Sequence, residues 1–133
     1  MKYRSGYKYQ LAETVAYQTK LRPPEIISTE YISLARHGEL TIQKGYAWDG
    51  PSGPTLDTDA TMSPSLAHDA VYQLLREGWL DPEDRLIADE DLEAMLEERG
   101  VWWWRRRLWF RTLRGFGSAA ANPKNVKEVY EVD

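Results

Sequence analysis

Ten consecutive residues, Gly45-Tyr46-Ala47-Trp48-Asp49-Gly50-Pro51-Ser52-Gly53-Pro54, hold three glycines and two prolines and divide the chain. Proline fixes φ and lacks a donor, and glycine favours tight turns, so this stretch predicts an ordered loop over 45–62. The sequence changes character across it. Upstream, Tyr7–Leu11, Thr14–Gln18, Glu30–Ala35 and Glu39–Gln43 are short, partly alternating and rich in β-branched or aromatic residues, which predicts antiparallel strands interrupted by Arg22-Pro23-Pro24. Downstream, Ser63-Pro64 has the form of an N-cap and first helical residue, opening a helix to about Glu77 that Gly78 ends. Asp81-Pro82 repeats the signal for a helix over about 82–99 with Gly100 at its C-terminal cap, and a third spans 101–114 before Gly115 and Gly117. Residues 118–133 are expected to form a peripheral tail. Strands first and helices afterwards, without an internal repeat, predict an α+β fold in a single domain over 1–133.

Composition narrows the class. At 133 residues and 42% hydrophobic content the chain can bury one core, and the absence of cysteine excludes disulfides and thiolate metal sites. The start, Met1-Lys2-Tyr3-Arg4-Ser5-Gly6-Tyr7, lacks the apolar core of a signal peptide, and no stretch approaches the roughly 18 apolar residues of a membrane span. A soluble protein, made without export by the general route, is expected. A net charge of −4 argues against nucleic acid as the main partner.

Only two histidines are present. His37, in Arg36-His37-Gly38-Glu39 between two strand-like runs, reads as a solvated turn. His68 is followed by Asp69 and, one turn on, by Tyr72, so His68, Tyr72 and Leu75 share a helix face, as do Arg85, Asp89, Leu92 and Leu96 on the next helix. A short connection makes the two helices antiparallel neighbours, and His68 can then meet Asp89. A carboxylate on one ring nitrogen fixes the tautomer and leaves the other free to take a proton from water, a general-base arrangement. Asp69 points about 100° away from His68. Asp69, Asp49 and the loop from Trp48 to Gly53, including Gly50 and Ser52, offer hard oxygen donors, which suit calcium and, less well, magnesium; no organic cofactor is indicated. The same residues also allow a purely structural role, with His68 bridging two helices through Asp89 while Asp49 and Ser52 stabilise turns.

Taken as an ordered set, Asp49-Gly50-Pro51-Ser52, His68-Asp69-Ala70-Val71-Tyr72 and Ala88-Asp89, with the closing Arg111 to Gly117, resemble a domain-of-unknown-function family of small bacteriophage and prophage proteins over about residues 38–117. The resemblance implies phage origin and no particular activity. His68-Asp69-x-x-Tyr72 after a glycine-rich loop, with Asp89 on the following helix, is more distantly similar to the catalytic helix pair of secreted phospholipase A2. That likeness implies His68 as base, Asp69 as calcium ligand, Asp89 and Tyr72 as its orienting partners, and carbonyls near Trp48 to Gly53 as further ligands. The chain differs in its short helix connection, its lack of flanking cysteines and its glycine spacing.

Residues 101–117 hold five arginines and no acid, whereas 81–98 hold nine acids and one arginine, so charge complementarity between adjacent helices is expected. On a helical wheel Trp102, Trp109, Leu113 and Phe116 form an apolar stripe that enters the core, with Arg107, Arg111 and Arg114 on another face. Trp103, Trp104 and Phe110 lie outside the stripe, where aromatics beside Arg107 and Arg111 can engage a protein partner, a lipid interface or, least favoured, single-stranded nucleic acid. Three function classes remain: a calcium-assisted hydrolase of lipid or related esters; a noncatalytic phage virion or tail component or host-protein-binding factor; and a hydrolase of cell-wall or nucleotide substrates. The host cytoplasm is the expected site of synthesis, with the virion as a second location.

Overall fold

Alternating burial organises the first half of the chain. The computed structural model describes residues 3–4, 9–48 and 59–121. Its strands are β1 (Tyr3–Arg4), β2 (Tyr9–Leu11), β3 (Val15–Gln18), β4 (Ile27–Ser28), β5 (Ile32–Leu34), β6 (Glu39–Ile42) and β7 (Ala47–Trp48). All pair antiparallel, in a three-stranded sheet of order β1-β2-β7 and a four-stranded sheet of order β3-β6-β5-β4. Ile32 pairs with Ile42 and Leu34 with Leu40, and all four side chains are buried, because a period of two sends alternate residues to one face.

The β5–β6 turn depends on Gly38. Its φ of +96° lies where a side chain is strained, and an added Cβ would sit 2.5 Å from the Thr19 carbonyl oxygen. Gly38 N–H donates to the Ala35 carbonyl and Ala35 N–H to that of Glu39, which closes the hairpin. His37 is exposed in this turn, as its position between strands predicts.

Three helices follow: α1 (Asp59–Arg76), α2 (Asp84–Glu98) and α3 (Trp103–Ala121). The order of strands then helices is the expected α+β arrangement. The strands belong to one compact unit and the helices to another. Gly78 and Gly100, at φ +81° and +80°, end α1 and α2. In each case the glycine N–H and the next N–H reach back to the last turn: Gly78 to Leu75 and Trp79 to Leu74, Gly100 to Glu97 and Val101 to Leu96. This pair of bonds satisfies carbonyls that a helix end otherwise orphans and turns the chain sharply. At the start of α2 the Asp84 carboxylate accepts from the Asp81 N–H.

Several boundaries differ from expectation. Helix α1 begins at Asp59, so Pro64 lies inside it instead of opening it, removing one main-chain donor from the ladder. The stretch 45–62 is not wholly loop, since β7 pairs through Tyr9↔Trp48 and Gln10↔Ala47 and α1 starts within it. Helix α3 starts at Trp103 and continues through Gly115 and Gly117 to Ala121, into the stretch expected as tail. The remaining tail lies outside the described residues.

Candidate functional site

Spacing on α1 and α2 builds the site from its apolar frame. On α2, Ala88, Asp89, Leu92 and Leu96 are buried, and Leu92 and Leu96 pack with Val101, Trp109 and Leu113. This contact fixes α3 against α2, while the Gly78 turn folds α2 back beside α1. Asp89 is thereby carried inside with 0% exposure. A carboxylate there costs several kcal/mol unless its oxygens are matched.

Both oxygens are matched. His68 Nε2 lies 2.8 Å from Asp89 Oδ1, and Tyr72 OH donates to the same oxygen at 2.6 Å. Arg114 Nη1 donates to Asp89 Oδ2 at 3.0 Å. Arg85 Nη1 stands 3.9 Å from that oxygen and donates to the Leu113 carbonyl at 3.0 Å, so it braces α3 while adding positive charge nearby. The His68 and Tyr72 rings lie against each other with centroids 4.2 Å apart. One carboxylate thus gathers side chains from all three helices.

Burial alone raises the Asp89 pKa, but hydrogen bonds from His68, Tyr72 and Arg114 outweigh it and hold the carboxyl below its ordinary range. Burial alone lowers the His68 pKa, yet the Asp69 and Asp89 carboxylates together raise it above the usual 6.5. Asp69 Oδ1 is 3.9 Å from His68 Nδ1, beyond hydrogen-bonding distance, so it acts as a nearby charge. The Tyr72 hydroxyl is pushed well above its normal range, first by burial and then by Asp89, and therefore stays a donor.

The imidazole is held with Nε2–H toward Asp89 and Nδ1 on the side of Asp69. From Met62 to Leu75 every residue except Asp69 is buried, and the Asp69 side chain is 40% exposed. His68 itself is buried, and the partly exposed residue beside its second ring nitrogen is Asp69. An imidazole oriented in this way can accept a proton at Nδ1 from a water that reaches it past Asp69, with the resulting imidazolium stabilised through Nε2.

The predicted cation ligands are only partly placed. Asp69 has the hard, accessible carboxylate that calcium requires. Asp49, Gly50 and Ser52 lie outside the described residues. Trp48 is buried in β7 of the strand unit, its ring 5.5 Å from that of Tyr9, and its Nε1 has no partner among the described residues. Among the described residues no group of three His, Asp or Glu is placed to hold a metal ion.

Helix α3 divides the expected interface residues. Trp103 and Trp104 are 65% and 53% exposed, Arg107 and Arg111 are exposed, and Phe110 is half-buried. Trp109 is buried and Leu113 packs against the core, as the stripe predicts. Trp102 is not part of that stripe: it precedes α3 and is 69% exposed. Nor does Arg114 share a solvent face with Arg107 and Arg111, since it turns in to Asp89. The Phe116 side chain lies outside what is described. Arg114 and the bracing role of Arg85 are the functional residues that spacing missed; the signal was a core-facing aspartate followed by an arginine-rich helix.

Among the described residues no helix is long and apolar enough to cross a membrane. Compared with known proteins, the chain matches no protein-family model, no curated protein and no solved structure.

Proposed function

We propose that the chain is a small bacteriophage or prophage protein whose helical unit is a hydrolase of lipid or related esters, with His68 as general base. The observation that carries this reading is Asp89 Oδ1 holding both His68 Nε2 and Tyr72 OH, which orients the imidazole with its second nitrogen beside the one solvent-facing residue of that stretch. The phage assignment rests on the ordered motifs between residues 38 and 117 alone.

In the reaction, water on the Nδ1 side loses a proton to His68 as its oxygen bonds to the ester carbonyl carbon. Asp89 stabilises the imidazolium through Nε2–H, with Tyr72 and Arg114 keeping the carboxylate in place. The tetrahedral intermediate then breaks its bond to the alkoxide, which leaves with the proton from Nδ1. Asp69 is the described residue that would hold calcium, whose chemistry when bound is to neutralise charge on the carbonyl oxygen.

A second reading is favoured by the completeness of the Asp89 cluster, which ties three helices together without any ligand. In it the protein is a noncatalytic virion or tail component or a host-protein-binding factor. Hydrolysis of a short-chain phospholipid and of a soluble aryl ester, with calcium and with chelator, separates the two. His68→Ala should lower the rate by about 100-fold or more, and Asp89→Asn should lower it as well. A correctly folded native chain that cleaves neither ester in calcium rules out the esterase and leaves the binding role.

A further inference from the structure

The outer face of α3 has a composition that the His68 site does not use. At 100° per residue, the exposed residues Trp103, Trp104, Arg107, Leu108 and Arg111 fall within one sector about 140° wide, while Trp109 and Leu113 pack on the opposite side. The exposed residues of that sector are large apolar groups and two guanidiniums, with no acid; Arg114 falls at the same angle further along the helix but turns in to Asp89. Arg107 approaches Glu93 only at 3.8 Å while 60% exposed, and the Arg111 side chain forms no ion pair or hydrogen bond among the described residues. Trp102, next to the sector at the start of the helix, extends its aromatic end.

We propose that this face of α3 docks on a bilayer surface carrying anionic phospholipid headgroups. Indole rings partition to the headgroup level, and arginines among them meet phosphate, so tryptophan and arginine together match that boundary. The charge is complementary and local, since the chain as a whole is acidic at −4. A bilayer needs no matching partner contour, and a few aromatic anchors with two cations suffice for reversible attachment. The surface is independent of the His68 reaction, and attachment is read without turnover.

The test is co-sedimentation of the full chain with vesicles of equal parts phosphatidylglycerol and phosphatidylcholine, compared with phosphatidylcholine alone. Binding to the anionic vesicles is expected, with a blue shift of indole emission and weakening in raised salt. Arg107→Gln with Arg111→Gln should weaken it about 25-fold, at about 5-fold per guanidinium, and Trp103→Ser with Trp104→Ser should weaken it at least about tenfold. All four side chains are exposed, so the variants should melt with the native chain; Arg111→Gln alone serves if a double variant does not. A native chain that stays in the supernatant overturns the proposal, as does binding that ignores both vesicle charge and these substitutions. Self-association of the native chain that Trp103→Ser with Trp104→Ser abolishes would assign the face to a protein contact instead.

Discussion

Arg114 and Asp89, 25 residues apart, meet at 3.0 Å and join the last helix to the carboxylate that orients His68. Arg114→Ala leaves Asp89 Oδ2 facing only the more distant Arg85, and the expected loss is about 1–3 kcal/mol, below the cost of an entirely unpaired buried charge because His68 and Tyr72 remain. Arg114→Lys should restore more than half of it, since a single N–H makes the contact. Urea unfolding of the three proteins checks this; an alanine variant as stable as the native chain would show that the bond does not anchor α3.

Tyr72→Phe removes one donor from Asp89 Oδ1 and keeps the ring against His68. The expected cost is about 1–2 kcal/mol by chemical denaturation. In the ester assay it should reduce kcat less than His68→Ala does, because Asp89 still holds the imidazole. Equal losses would mean that Asp89 cannot hold the imidazole in its working orientation without the hydroxyl.

The two titrating partners give opposite pH dependences. The folded pKa of His68 lies above its ordinary 6.5, so its stabilising contribution is complete below 6.5 and is lost as pH rises through the folded value. The melting temperature of the native chain relative to His68→Gln should therefore fall across that window. Ester hydrolysis, which needs the neutral imidazole, should rise over the same range. The folded pKa of Asp89 is depressed below 3.8, so its contribution is present above 3.8 and disappears as pH falls through the lower folded value. A flat difference between native and His68→Gln from acid to alkaline pH would contradict the ion pair.

Gly38 and Gly78 share a positive φ but not their surroundings. At Gly78 a Cβ meets nothing within 4 Å, so Gly78→Ala should cost only the backbone strain of about 1–2 kcal/mol. At Gly38 the same change adds a clash with two main-chain carbonyls, at 2.5 and 2.7 Å, and should cost clearly more, about 3 kcal/mol or above. Thermal unfolding of the two variants side by side should rank them in that order.

The His68, Tyr72 and Asp89 relationship was legible because helical periodicity and a short glycine turn constrain it strongly. Tyr72 stands four positions after His68, and the Gly78 turn leaves α2 little choice but to return beside α1. Arg114 was not legible in the same way: on a helical wheel it falls within about 20° of the exposed Arg107, and only its position along α3, in reach of Asp89 once the helices pack, turns it inward. Trp102 misled because a helical wheel applies only within a helix, and α3 begins one residue later. Pro64 misled because proline favours a first turn, although tertiary burial of the surrounding residues holds it inside one. Strands β4 and β7, of two residues each, are too short to carry an alternation.

The Asp89 cluster also has a mechanical meaning. Arg111 on the outer surface and Arg114 at the buried carboxylate lie less than one turn apart on α3, and Asp89 joins Arg114 to the imidazole through its two oxygens. One helix therefore carries an outward-facing arginine and, less than a turn on, the arginine that closes the Asp89 cluster, so a substitution that unseats α3 removes the outer face and the buried contact together.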